Sequence, residues 1–126
     1  MVLIDTSAWI EFFNKKNNKI SNKIEEIIKI DFNIYITHTI LQEILQGIKE
    51  EKKYTEIKNS LLEYRILPFN FIDDSIGAAN LYRRIRSKGI TIKKSNDCLI
   101  AYQAIKFDIP ILHLDRDFDN ISNIPA

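Results

Sequence analysis

The chain has 126 residues, of which 45% are hydrophobic and 28% charged, as is typical of a soluble globular domain. Three glycines and three prolines exclude a low-complexity or collagen-like chain, and the single cysteine excludes an internal disulfide. With 18 basic and 17 acidic residues the net charge is +1, so bulk charge identifies no partner.

The expected organisation is one domain over residues 1–126, a size at which a single core suffices for folding. No apolar run reaches the roughly 18 residues that a membrane span needs. The N-terminus does not have the pattern of a signal peptide, because Asp5 interrupts its apolar run. We therefore expect a cytoplasmic protein that binds no membrane.

The first half of the chain alternates short apolar or β-branched runs with segments of helical periodicity. In chain order, these patterns predict a strand at Val2–Ile4, a helix over 8–13, a helix over 20–28, a strand over 33–37 and helices over 38–47 and 50–63.

The second half continues the same alternation. It predicts a strand over 65–69 whose proline favours an edge, a helix over 73–88 closed by Gly89, a helix over 95–107, a strand over 109–114 and a short helix over 115–121. Strands that alternate with helices predict an α/β domain whose mostly parallel central sheet, of four or five strands, is flanked by helices.

Acidic residues follow two of the predicted strands. Asp5 ends the first strand, and Asp115 ends the fourth, with Asp117 two residues further on. Ligands bind at the carboxyl ends of the strands in an open parallel sheet, so these positions favour a site. Asp5 alone is equally well explained as a helix N-cap, although Thr6 or Ser7 could fill that role.

Two further carboxylates lie on the inward side of predicted helices. At about 100° per residue, Glu43 falls on the shoulder of an apolar arc, beside Gly47. The same geometry places Asp97 on the stripe of Ala101 and Ala104. It places Gln103 and Lys106 on the opposite face. The alternatives are a solvated glutamate, and a first-turn aspartate that complements the helix dipole while Ser95 or Asn96 caps the helix.

Four carboxylates at one sheet edge would repel one another by about 3 kcal/mol per pair at ~5 Å, so protons or cations must stabilise them. Oxygen ligands favour a hard ion, Mg²⁺ or Mn²⁺. Such a site typically hydrolyses phosphodiesters with a metal-activated water.

Four segments of the chain resemble the four acidic motifs of the PIN domain family, and more narrowly those of the VapC-type toxins of toxin–antitoxin pairs. The segments are VLIDTSAWI at 2–10, LQEILQG at 41–47, NDCLIA at 96–101 and LDRDF at 114–118. Each motif is weak alone, but the four occur in the family's order and span nearly the whole chain.

The resemblance implies a Mg²⁺-dependent endoribonuclease with Asp5, Glu43, Asp97 and Asp115 as catalytic residues. Asp5, Asp97 and Asp115 would bind the metal, Ser7 would assist the first motif, and Asp117 would be auxiliary. His113 departs from the pattern, since these toxins often carry Thr or Ser there.

The resemblance also implies a homodimer that a cognate antitoxin protein holds inactive. Because an arginine matches carboxylates in a planar fork, we expect that antitoxin to insert an arginine among the four acids.

A basic segment precedes Asp97: the twelve residues 83–94 hold six basic side chains and no acid. Positive charge here would position an RNA backbone that the acidic site repels. The candidate RNA contacts are Arg83, Arg84, Arg86, Lys93, Lys94 and Arg116. The alternative is a solvated helix end whose cations complement the helix dipole.

Two other functions use similar residues. A receiver-type signalling domain is disfavoured, because Thr6 follows Asp5 where a second acid is needed and residues 65–71 contain no carboxylate. A catalytically inactive PIN-like RNA-binding module stays open, since a fold does not establish activity, although the intact set of acids argues against it.

Overall fold

The alternation of strands and helices in the sequence is reproduced in the computed structural model, which describes residues 1–30 and 33–114. The elements are β1 (Val2–Ile4), α1 (Thr6–Phe13), α2 (Lys19–Lys29), β2 (Ile34–Ile36), α3 (His38–Gln46), α4 (Glu51–Leu61), β3 (Arg65–Ile66), α5 (Phe71–Ser87), α6 (Ser95–Phe107) and β4 (Ile111–Leu112). The helix predicted over 115–121 lies outside the described residues, as do Asp115, Arg116 and Asp117.

The four described strands form one parallel sheet in the order β3-β2-β1-β4. In β1, Leu3 aligns with Tyr35 of β2 on one side and with Ile111 of β4 on the other. The chain therefore builds outward from β1 to β3 and then returns to the opposite side of β1. This reversal places the topological switch point, where open α/β sheets bind ligands, between β1 and β4.

The predicted α/β class and the edge position of β3 are confirmed, but several boundaries differ. The strands over 65–69 and 109–114 shorten to two residues each. The helix predicted from residue 73 begins at Phe71, because the side chain of Asn70 accepts the backbone N–H groups of Ile72 and Asp73 and so caps it. Gly89, at φ 79°, follows the end of α5 as expected.

The core consists of the central strands and the inner faces of the helices. Leu3, Ile4 and Ile36 are completely buried, as are Trp9 and Ile40 on the helices next to them. None of the helices in the described ranges is both long and apolar enough to cross a bilayer.

Gln103 corrects one prediction: it is completely buried instead of lying on an exposed face of α6. The prediction from 100° per residue assumed that α6 buries only one stripe of side chains. Because α6 packs against both α5 and α3, a wider arc of its surface is covered. Lys106, the other residue placed on that face, is exposed as expected.

Helices α5 and α6 run antiparallel and are joined by an ion pair between a buried carboxylate and an exposed lysine. Asp74 is completely buried and accepts hydrogen bonds from Lys106 Nζ at 2.7 Å and from the backbone N–H of Asn70 at 2.7 Å. Further along, Gly77 lies directly under the ring of Tyr102, where a side chain would clash with the ring. The glycine thus allows the two helices to approach closely.

Candidate active site

Asp5 lies where β1 ends and α1 begins, and its two carboxylate oxygens have different surroundings. Oδ2 accepts the backbone N–H of Ser7 at 3.2 Å and the Ser7 hydroxyl at 2.8 Å, so Asp5 is the N-cap of α1. Oδ1 is buried and has no hydrogen-bond partner among residues 1–30 and 33–114. The capping and site interpretations of Asp5 are therefore compatible, because one oxygen caps the helix while the other stays available to a ligand.

Ser7 connects the ends of the two strands at the switch point. Its hydroxyl donates to Asp5 and accepts the backbone N–H of Leu114 at 3.4 Å. The backbone N–H of Asp5 in turn donates to the carbonyl of Leu112 at 3.0 Å. The segment that leads to Asp115 is thereby fixed against Asp5. The described residues include neither Asp115 nor Asp117.

Glu43 reaches the same region from α3. Its Oε1 accepts the hydroxyl of Thr6 at 2.9 Å, which ties it to the residue next to Asp5. Glu43 is half-buried, whereas Gln42 and Gln46 are exposed, so the predicted inward shoulder position is confirmed. Sequence reasoning considered Thr6 only as a helix cap and missed its contact with Glu43. The only available signal was that Thr6 adjoins Asp5.

Asp97 lies in the first turn of α6 and is only 5% exposed. Its predicted place on the buried stripe is therefore confirmed. The alternative is right that Asp97 lies in the first turn, but its cap at Ser95 or Asn96 is wrong, because Lys94 is the N-cap and makes no side-chain hydrogen bond. Burial, and then the charge of Asp97, raise the pKa of the Cys98 thiol to about 11, so this thiol is protonated at neutral pH.

These contacts bring Asp5, Ser7 and Glu43 together at the switch point. Within residues 1–30 and 33–114, no three carboxylate, histidine or cysteine side chains form a group that could hold a metal ion. The buried, unpartnered Oδ1 of Asp5 nevertheless fits a hard cation, which prefers such oxygen ligands.

A groove of about 400 Å³ opens beside Glu43, between α1, α3 and the start of α4. Its lining is mainly apolar and includes Ile10, Phe13, Ile44, Ile48 and Ile57. The groove therefore offers an apolar surface that leads to a carboxylate of the candidate site.

The predicted RNA contacts Arg83, Arg84, Arg86, Lys93 and Lys94 are all exposed, on the C-terminal half of α5 and in the loop after it. Arg116 lies outside the described residues. His113, the departure from the motif pattern, is half-buried directly after β4.

A family model and individual relatives both match this chain, and they belong to the same family. The sequence model of the PIN domain matches residues 2–124. VapC ribonuclease Mb1587 of Mycobacterium bovis and ribonuclease VapC11 of Mycobacterium tuberculosis are each 35% identical over 128 residues, covering 98% of this chain and 93% of the relative.

Similar solved structures share the fold. A chain of VapBC2 from Rickettsia felis, solved with a DNA fragment from its promoter, superposes with a TM-score of 0.76 at 22% identity, over 99% of this chain and 94% of that one. A chain of VapBC-1 from nontypeable Haemophilus influenzae gives a TM-score of 0.73 at 17% identity, over 98% and 95% of the two chains.

Proposed function

This chain belongs to the PIN domain family, among the relatives of the VapC ribonucleases, and from that premise we propose that it is a metal-dependent endoribonuclease that acts as the toxin of a toxin–antitoxin pair. The observation that carries the proposal is the environment of Asp5. A buried carboxylate at the switch point has one oxygen fixed by Ser7 and the other without a hydrogen-bond partner in the described part of the chain.

Asp5, Asp97 and Asp115 are the residues proposed to hold Mg²⁺ or Mn²⁺. When bound, such an ion activates water and stabilises the departing oxygen of a phosphodiester. Asp5 would bind through Oδ1, since Ser7 occupies Oδ2. Asp97 would contribute from α6 and Asp115 from the segment after β4, with Asp117 as an auxiliary carboxylate.

Glu43 is proposed to orient the attacking water. Thr6 donates to Oε1 and fixes the carboxylate, which leaves Oε2 to accept a hydrogen bond from the water. Ser7 keeps Asp5 in one rotamer and holds the backbone at Leu114 beside it. The side chains of this protein thus orient the water and the Asp5 carboxylate. Hydrolysis requires this orientation in addition to the ion.

The proposed partners are a cognate antitoxin and a second copy of this chain. The similar structures from Rickettsia felis and Haemophilus influenzae are those of VapBC2 and VapBC-1, which supports a protein partner of the VapB kind. The homodimer remains a proposal from the family resemblance.

The decisive experiment is RNA cleavage by the purified protein, freed of partner, with Mg²⁺, with Mn²⁺ and with EDTA. We expect cleavage with either metal and none in EDTA. Asp5→Asn should lower the rate by at least about 100-fold while keeping the fold, because asparagine caps a helix about as well as aspartate. The matched control is Asp108→Asn, an exposed position with φ 54° that asparagine tolerates, and it should cut RNA normally.

Unchanged cleavage in EDTA would contradict the metal dependence. If cleavage depends on the metal, sequencing the RNA ends produced by wild type and by Asp5→Asn would identify the target RNA. A protein that binds RNA but cuts none with either metal would instead be the inactive binding module.

A further inference from the structure

A second charged region lies away from the carboxylates, on the outer side of α5 and in the loop that follows it. Between residues 83 and 94 the chain carries six basic side chains and no acidic one. All six are exposed in the structure. We call Arg83, Arg84, Lys88 and Lys94 the α5 basic surface.

No acidic partner neutralises the α5 basic surface within the part of the chain that the structure describes. The ion pairs Lys29–Glu25 and Lys106–Asp74 of the described residues do not involve this surface. Arg86 lies over the ring of Tyr82, 5.8 Å from its centroid. The positive charge is thus directed to solvent and available to an external anion.

The helix dipole explains only part of this charge. Arg84 and Arg86 lie in the last turn of α5, where cations are favourable next to the free carbonyl groups. Arg83 lies before that turn, and Lys88 and Lys94 follow the helix. A dipole effect falls off within one turn, so it also covers Lys88, the C-cap residue of α5, but it gives no reason for Arg83 or Lys94.

The antiparallel packing places the surface at the end of α6 that carries Asp97. Asp74, near the start of α5, pairs with Lys106 near the end of α6. Further along α5, the carbonyl of Ala78 accepts a hydrogen bond from Cys98, the residue after Asp97, at 3.5 Å. The basic C-terminal half of α5 therefore points toward the N-terminus of α6.

A depression of about 650 Å³ lies along this part of α5. Its lining combines hydrogen-bond donors with one aromatic ring, from Gly77, Asn80, Arg83, Arg84, Ser87 and Tyr102. Because Gly77 has no side chain, the Tyr102 ring can lie close to α5 and form part of the wall. The depression thus has the charge and the donors that suit a chain of phosphates.

We propose that the α5 basic surface and this depression bind the phosphodiester backbone of single-stranded RNA and guide it toward Asp97. The inference rests on the proposed ribonuclease function and deepens it. An acidic active site repels a polyanion, so a separate positive surface must supply the attraction. Contacts of this kind position the backbone without reading its sequence.

The test is the binding of a fluorescein-labelled single-stranded RNA of mixed sequence, measured by anisotropy in EDTA at several salt concentrations. Arg83→Gln with Arg84→Gln should raise the Kd about tenfold at low salt. It should also reduce the slope of log Kd against log salt by about 1.4, since each lost contact to a single strand contributes about 0.7. Both arginines are exposed, so the melting temperature should stay unchanged.

The matched control is Lys29→Gln with Lys52→Gln, which removes the same charge from α2 and α4. Neither helix lines the depression. Its Kd should change by less than about twofold, because screening weakens charges more than a Debye length away. A parallel titration with poly-L-glutamate tests whether the surface instead binds an acidic protein.

RNA affinity equal to wild type in the double arginine variant would overturn the inference. Loss of poly-L-glutamate binding with RNA binding intact would overturn it as well. If RNA binding weakens as expected and the wild type cuts no RNA with Mg²⁺ or Mn²⁺, the surface is supported while the proposed nuclease function fails.

Discussion

The hydroxyl of Thr6 is the contact through which α1 fixes Glu43. Thr6→Val keeps the shape of the side chain and removes only this hydrogen bond, 2.9 Å long. We expect RNA cleavage to fall about tenfold, as when a group that orients an active-site residue is lost. The free energy of unfolding should change by less than about 1 kcal/mol, because one half-buried hydrogen bond contributes little.

Thr55→Val is the matched control for this variant. Thr55 donates to the carbonyl of Glu51 on the exposed side of α4, at 3.1 Å. Removing that hydroxyl should leave cleavage intact. Equal cleavage by wild type and Thr6→Val would show that Glu43 needs no support from Thr6.

Much of the candidate site was predictable from single residues. The position of Asp5 at a strand end, the shoulder position of Glu43 and the burial of Asp97 all followed from local spacing, and the structure confirms these placements. The contact between Thr6 and Glu43 was not predictable, because it joins residues 37 positions apart. The burial of Gln103 was missed for the same reason, since it depends on which neighbours cover α6.

The ion pair between α5 and α6 makes the free energy of unfolding depend on pH. Hydrogen bonds from Lys106, then from the backbone of Asn70, lower the pKa of Asp74 below its ordinary value of 3.8, although burial opposes them. A lowered pKa in the folded state contributes stability that is complete above the unfolded pKa and is lost as pH falls through the folded one.

We therefore expect Asp74→Asn to lower the free energy of unfolding by about 1–2 kcal/mol at pH 7, because it loses charge-assisted hydrogen bonds. The deficit should shrink as the pH falls below about 4, where wild type begins to lose the same contribution. Urea unfolding across this pH range measures both effects.

Asp73→Asn controls for the change of residue type, since Asp73 is the exposed neighbour of Asp74. The free energy of unfolding of Asp73→Asn should change with pH in nearly the same way as that of wild type. A deficit in Asp74→Asn that stays constant down to pH 2 would show that the carboxylate does not titrate with folding.

The type and order of the helices and strands could be predicted from the sequence more securely than their boundaries. Periodicity identified every described helix, because helices repeat apolar residues over several turns. The two-residue strands β3 and β4 were overestimated, since apolar residues continue the pattern beyond the paired positions, with Leu67 and Phe69 after β3 and Ile109 before β4. The start of α5 depended on the Asn70 cap, a signal present in the sequence but not used.

The groove beside Glu43 predicts how an antitoxin would bind this protein and inhibit it. We expect a partner segment to bury apolar side chains against Ile10 and its neighbours and to place an arginine near Asp5, Glu43, Asp97 and Asp115. Ile10→Lys introduces a cation into this path and should weaken the complex at least about tenfold, since like charges repel strongly in an interface. Calorimetric titration with the purified antitoxin measures this effect.

Ile30→Lys is the control, because Ile30 is exposed and does not line the groove. It should bind the antitoxin normally. A complex in which the partner leaves the carboxylates open to RNA would contradict the predicted arginine, whatever the effect of Ile10→Lys.

The position of β1 in the sheet has a consequence for synthesis of the protein. β1 is translated before β4, with which it pairs, and the hydrogen bond between Leu114 and Ser7 joins residues 107 positions apart. Contacts of such long range form late in folding. A nascent chain on the ribosome therefore carries Asp5 long before the opposite wall of the site exists. The proposed active site is therefore completed only after β4 has been translated.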